Sequence, residues 1–460
     1  MPTIDEYLST HAARFEEDLC ELLRIPSVSA DPARRPDMER AARWIADHFR
    51  AIGLSAEILP GAHPPLVYAE SPPVAGAPTV LVYGHYDVQP PDPLELWTSP
   101  PFEPARRGGN LYARGATDDK GQVLTHIKSA QAWLATAGRL PVRLKYIIEG
   151  EEEVGSHVLE QFLVEHPERL ACDVIVISDG AKFSRDIPAI EYGLRGIAYY
   201  ELRVAGPNRD LHSGTFGGSI TNPANALCRI MAAMVDGRGK VQIPGFYDDV
   251  APLGDRERKE LAALPFDEAA YFADLGVSRG FGEEGYTTLE RRWARPTCDI
   301  SGLTSGYQGE GAKTVLPAKA SAKFSFRLVP HQDPQRITAA LKRWLPGVTP
   351  PGVTAELIDH HGSPGVLVPL DSPYVAAATR ALEAAFGREP AYTRAGGSIP
   401  IVTAFHQALK ADTLLLGWGQ DDDNTHSPNE KFCLADFHRG IKASARLWEE
   451  LGRIEKRGDR

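Results

Sequence analysis

Tyr83-Gly84-His85-Tyr86-Asp87-Val88-Gln89-Pro90, followed further on by Gly115-Ala116-Thr117-Asp118-Asp119-Lys120-Gly121, carries the strongest fold signal in the chain. Val80-Leu81-Val82-Tyr83 is an unbroken apolar run that reads as a buried strand, and His85 follows it directly. Behind Gly121 comes a helix, about Gln122 to Ala137, with Val123, Ile127, Ala130 and Leu134 recurring at helical spacing. Val142 to Ile148 reads as a second strand that runs into Glu149-Gly150-Glu151-Glu152-Glu153. A helix near 158–166 precedes a third strand, Val174 to Ile177, that runs into Ser178-Asp179-Gly180. Strands alternating with helices predict an α/β fold with a mostly parallel sheet. Acidic or histidine residues stand just past the carboxyl ends of three strands, which is where open α/β sheets place their ligand sites.

Working outward, Ile4 to Leu23 and Asp37 to Ile52 read as amphipathic helices, and Ala56 to Leu59 and Leu66 to Ala69 as short strands. The pattern changes at Tyr192-Gly193-Leu194-Arg195-Gly196. Ile197 to Val204 and Lys319 to Val329 alternate apolar and polar residues, and helices are expected from Asn222 to about Val235 and from Pro334 to Leu345. Strands separated by helices, with one polar sheet face, predict a smaller α+β domain. Residues 241–296, rich in Pro, Gly and charge, read as short helical pieces that fit no place in either domain. A helix from Ser372 to Phe386, a buried strand Thr413 to Leu416 and a closing helix Phe437 to Leu451 go back to the first domain. The expected division is 1–193 and 363–460 for the larger domain, with 194–362 as an insertion.

The bulk properties narrow the function. A chain of 460 residues exceeds one ordinary core. Its formal net charge of −11 disfavours nucleic acid or an anionic membrane as partner. Cys20, Cys172, Cys228, Cys298 and Cys433 are scattered, with no Cys-x-x-Cys pair, as expected of reduced thiols in a cytoplasmic protein. The acidic, amphipathic N-terminal stretch has no signal-peptide pattern, and no apolar run reaches the length of a membrane span.

Each candidate residue has an ordinary structural reading beside the chemical one. A histidine after a strand commonly packs or caps, and Asp118-Asp119 suits the first turn of the next helix. On that reading Asp119 and Lys120 do the capping and leave Asp118 to face the cleft. His85 and Asp87, two apart in an extended segment, point to one side, so Asp87 can orient the imidazole. Glu149, Glu151, Glu152 and Glu153 crowd carboxylates at a strand end, a repulsion that a divalent cation relieves. Asp179 repeats the placement, and His426 adds a second imidazole in a polar loop. Two histidines with several carboxylates fit a pair of divalent ions, Zn²⁺ first, with Mn²⁺ or Co²⁺ compatible. A free Glu beside them suits a general base.

The motifs Gly84-His85-Tyr86-Asp87-Val88-Gln89-Pro90, Asp118-Asp119-Lys120-Gly121, Glu149-Gly150-Glu151-Glu152-Glu153-Val154-Gly155-Ser156, Ser178-Asp179-Gly180, Leu211-His212-Ser213-Gly214 and His426-Ser427-Pro428-Asn429-Glu430 occur in an order that resembles the M20 metallopeptidases. Gly311 to Pro317, Phe324 to Pro330 and Gly396-Gly397-Ser398-Ile399-Pro400 point to the carnosinase and cytosolic non-specific dipeptidase branch. The resemblance covers almost the whole chain. It implies a binuclear catalytic domain of the aminopeptidase/phosphorylase-like kind, with a ferredoxin-like lid and dimerisation domain inserted. Carried over by position, His85 and Asp179 would hold one ion, Glu153 and His426 the other, and Asp118 would bridge both across a cis Asp118-Asp119 peptide. Glu152 would be the general base. His212 would reach a partner subunit's site in a homodimer, with Thr314 beside it, and Arg327, Ser398 and Gly397 would bind the substrate's carboxylate end. Ala395 departs from the branch, which usually has Glu there, so the substrate-side wall is expected to differ.

These implications predict a cytoplasmic dipeptidase acting on small peptides. The alternatives are an N-acyl-amino-acid deacylase or desuccinylase on the same centre, and a catalytically silent binding member.

Overall fold

The apolar run leading into His85 is a strand, Thr79–His85, with every residue buried. It lies at the middle of a sheet whose strand order is Ser55–Ile58, Val67–Glu70, Arg143–Glu149, Thr79–His85, Val174–Ser178, Asp412–Gly417 and Ala189–Leu194. The four central strands are mutually parallel, and the outer pairings are antiparallel. The computed structural model describes residues 2–397 and 399–455, with backbone only at 256 and 400. The chain divides into two compact units, one holding Met1–Tyr192, Val368–Thr393 and Pro400–Arg460, the other Gly193–Leu367 and Arg394–Ile399. The second unit extends past the expected 362 because Val366 and Leu367 still pair with Leu194 and Gly193.

In the first unit, alternate sheet residues (Val80, Val82, Leu144, Tyr146, Val174, Val176, Leu414 and Leu416) pack against helices Ile4–Leu23, Lys120–Ala137, Pro373–Phe386 and Leu434–Leu451 in one apolar core. Because the central strands run the same way, their carboxyl ends share one edge. His85 and Glu149 end two of them and pair there, Asp179 follows the third, and the loop holding His426 follows the fourth.

The second unit is β-α-β-β-α-β. Its strands Gly196–Ala205, Thr297–Ser305, Lys319–Leu328 and Thr354–Ser363 form an antiparallel sheet in the order second, third, first, fourth, which is ferredoxin-like. Ala198, Tyr200, Leu202, Phe324, Phe326 and Leu328 face helices Pro223–Ala232 and Pro334–Val348, and the alternate positions are more open. Within 241–296 the short helical pieces are Asp255–Ala263, Glu268–Asp274 and Thr288–Trp293.

Candidate metal centre

His85 is fully buried at the last position of its strand, with Asp87 folded back beneath it. Its Nδ1 lies 3.1 Å from the Asp87 carbonyl oxygen and 3.3 Å from Asp87 Oδ1. Asp87 does more than orient the imidazole, because its Oδ1 and Oδ2 also accept the amides of Glu152 at 3.3 Å and Glu153 at 3.1 Å. One buried carboxylate thus sets both the histidine and the two adjacent glutamates.

With Nδ1 turned to Asp87, His85 Nε2 faces the cleft, 3.1 Å from Asp118 Oδ1 and 3.8 Å from Asp179 Oδ2. It is buried and has no hydrogen-bond partner of acceptable geometry. The other Asp118 oxygen, Oδ2, lies 2.9 Å from His426 Nε2, which is itself 3.3 Å from Glu153 Oε2. Two three-residue groups result, His85–Asp118–Asp179 and Asp118–Glu153–His426, each with its ligand atoms within 4.8 Å of one another. Gln89 Nε2 donates to Glu153 Oε2 at 2.7 Å.

The electrostatics fit a pair of cations. Burial alone would lower the His85 imidazole, yet Asp118 and Asp87 outweigh it and lift it well above its ordinary value. Contacts with Asp118 and Glu153 raise His426 to about 10. Burial and the Asp118 charge push Asp179 well above the carboxylate range, while the two imidazoles hold Asp118 below it. Without ions, the cluster needs protons on its imidazoles to balance its carboxylates. Divalent ions meet the same demand and displace those protons. An orphaned imidazole nitrogen aimed at carboxylates, and one carboxylate offering an oxygen to each histidine, is a donor set that two such ions match.

Glu152 stands in a short turn, Glu152–Val154, and burial raises its carboxyl above the ordinary value. Glu149, counted in the acidic crowd, turns the other way. Its Oε1 accepts the hydroxyls of Tyr83 and Ser156, both at 2.8 Å, and burial pushes it up to about 8. Glu151 accepts the Val158 amide at 2.8 Å. The expected capping by Asp119 and Lys120 is not what the structure has. Asp119 makes no side-chain cap and instead accepts the His85 amide at 3.2 Å. Lys120, fully buried, donates to the Leu22 and Ile25 carbonyls at 3.3 and 2.7 Å. The Asp118-Asp119 peptide is cis.

The remaining candidates belong to the second unit. His212 Nδ1 accepts the Gly214 amide at 3.1 Å, which leaves the proton on Nε2, 3.5 Å from Thr314 Oγ1. Both residues are exposed. Arg327 lies in the strand Lys319–Leu328 between Ile197 and Thr297. Gly397 is exposed. Ser398 lies outside the described residues. Arg195, which the sequence pattern did not single out, donates through Nε to the Gly396 carbonyl at 2.8 Å. Burial, with Arg327 and Arg292 nearby, lowers Arg195 to about 10. Glu430, which closes the motif His426-Ser427-Pro428-Asn429-Glu430, and Asp423, near it in sequence, had been given no role; both are buried beside the Asp118 loop.

A mostly parallel sheet with an acidic, two-histidine cluster at the carboxyl edge, in a chain that also carries a ferredoxin-like insertion, is an architecture able to hold divalent ions. The sequence profile of peptidase family M20/M25/M40 matches residues 81–450, and the chain belongs to that family. Cys-Gly metallodipeptidase DUG1 of Candida albicans is 36% identical over 454 residues, covering 93% of each chain. Beta-Ala-His dipeptidase of Homo sapiens is 33% identical over 469 residues, covering 98% of this chain and 92% of that one. The solved structure of human carnosine dipeptidase 1 aligns with a TM-score of 0.82 at 32% identity over 98% of both chains.

Proposed function

We propose that this chain is a metal-dependent dipeptidase that hydrolyses the amide bond of small peptides. The observation that carries the reading is Asp118, whose two oxygens face two different histidines. His85 and Asp179 would hold one ion, Glu153 and His426 the other, with Asp118 shared. Zn²⁺ is the ion we assign, and Mn²⁺ or Co²⁺ suit the same donors. The relatives named above are dipeptidases, which supports this reading over deacylation of N-acyl amino acids. Five free cysteines support a reducing, cytoplasmic setting.

Bound ions would supply Lewis acidity toward a water and the scissile carbonyl. Glu152, with its raised carboxyl, takes the water's proton and returns it to the leaving amine. Asp87 keeps Glu152 at that place through the backbone amide. In a homodimer, His212 of the partner subunit would donate to the oxyanion. Arg327 would pair with the substrate carboxylate, for which its planar fork is suited.

The test is a panel of dipeptides against N-acetyl and N-succinyl amino acids, before and after chelation and with Zn²⁺, Mn²⁺ or Co²⁺ returned. Dipeptides are expected to lead in kcat/KM, with activity lost on chelation and restored by one of the ions. Dominant turnover of the acylated set would overturn the assignment.

A further inference from the structure

His426 is held in place by its loop. Its side chain is 54% exposed, and the ion pairs it makes are those with Asp118 and Glu153. The backbone at Asn424, His426 and Asn429 is left-handed, with φ of 56°, 62° and 61°. Non-glycine residues adopt that region at a cost, and a loop with three of them needs surroundings that over-determine its shape.

Two buried carboxylates bracket the histidine, and both grip the loop that ends on Asp118. Glu430 uses both oxygens. Its Oε2 accepts Arg114 Nη1 at 2.8 Å and the Gly115 amide at 2.9 Å. Its Oε1 accepts the amides of Thr117 at 3.0 Å and Asp118 at 3.2 Å. Asp423 Oδ2 accepts Thr117 Oγ1 at 3.2 Å and the Gln420 amide at 2.7 Å, while Oδ1 accepts Lys431 Nζ at 2.9 Å. The loop closes on itself where the Lys431 amide donates to the Asp423 carbonyl at 3.0 Å. Asn429 ties a third side, accepting the Thr98 amide and donating to the Leu96 carbonyl, both at 2.8 Å.

We infer that Glu430 and Asp423 are positioning residues that lock the His426 loop onto the Asp118 loop and so set the spacing between Asp118 and His426. Neither belongs to the two groups that would hold the ions. Their role is to bring ligands far apart in sequence into one group, because a buried carboxylate facing several N–H donors leaves the loop few alternatives. The inference rests on the proposed metal centre.

Glu430→Gln keeps the shape but turns an amide NH₂ toward backbone N–H donors, and Thr117→Val removes only the Asp423 strap. Zn²⁺ titration against a chromophoric chelator, with circular dichroism to check folding, separates the outcomes. Wild type is expected to take up two ions. Glu430→Gln is expected to keep one ion tightly and to bind the other about 10- to 100-fold more weakly, and Thr117→Val to show a smaller loss at the same ion. Glu430→Gln holding both ions within twofold of wild type would overturn the clamp, as would an equal loss at both ions. Should Glu430→Gln not fold, Thr117→Val decides, and unchanged affinity for both ions overturns the inference. A wild-type chain that takes up no Zn²⁺ overturns the metal centre itself.

Discussion

Asp118 gives one oxygen to His85 and the other to His426, and Asp87 serves the other side of His85 while holding the Glu152 and Glu153 amides. The two aspartates divide the work between sharing ligand atoms and fixing backbone. Glu152 has a raised carboxyl and lies outside both metal-ligand groups, as a proton carrier should; Glu149 shares both properties, but its Oε1 is taken up by the Tyr83 and Ser156 hydroxyls. Glu152→Ala is therefore expected to lower kcat by about 10²- to 10⁴-fold while the protein still binds two equivalents of metal by elemental analysis. Turnover near the wild-type rate would remove Glu152 from the role. The residue types at these positions were legible in the sequence, since they stand at a strand end, in the loop just after one, or, for Asp118, in the turn before a helix. Their division of labour came only from the family resemblance, because in residue pattern Glu149 and Glu153 look alike until the chain's path turns one to Tyr83 and the other to His426.

The helix Lys120–Ala137 shows the limit of pattern reading at the scale of an element. Val123, Ile127 and Ala130 are buried as the helical spacing predicts, but Gln122, Thr125, His126, Lys128 and Ser129 are buried too. Each meets a partner from elsewhere. Trp418 donates its amide to Gln122 and its indole to Thr125, Trp448 donates to Ser129, and Lys128 pairs with Asp18 at 2.6 Å. A polar residue in a helix reads as solvent-facing unless those partners are known. The helix start is equally crowded. A Cβ on Gly121 would lie 2.0 Å from the Ala116 carbonyl oxygen and 2.6 Å from Phe432, in the turn that presents Asp118. Gly121→Ala is expected to cost about 3 kcal/mol of stability and to lower metal affinity, measured by denaturant unfolding and Zn²⁺ titration. A variant as stable as wild type would show that this turn gives way. In the inserted unit, Thr297–Ser305 escaped notice because most of its residues are exposed and Ile300/Gly302 carry a register shift, which breaks the two-residue alternation.

At the scale of the whole catalytic unit, His126 joins three elements. Its Nε2 lies 2.9 Å from Ser178 Oγ on a central strand and its Nδ1 3.0 Å from Ser444 Oγ on the last helix. Burial holds its pKa down at about 3. Below an ordinary value near 6.5 the unfolded chain takes up a proton that the folded chain refuses. The stability present above about pH 6.5 is therefore lost as pH falls toward 3, by about 2 kcal/mol at pH 5. His126→Gln is expected to lose less in Tm than wild type between pH 7 and pH 5. Equal losses would mean that His126 does not carry this acid sensitivity.

Apolar runs, helical spacing and metal-ligand residue types near strand ends are local signals, and they were enough to fix the α/β class, the parallel core and the shortlist of chemical residues. Tertiary structure alone decided which carboxylates converge. Asp118, Asp179, Glu153 and His426 are brought together by strand order and by loops clamped through Glu430 and Asp423. A carboxylate's role depends on which donors and charges the fold places around it, and no local pattern contains that information.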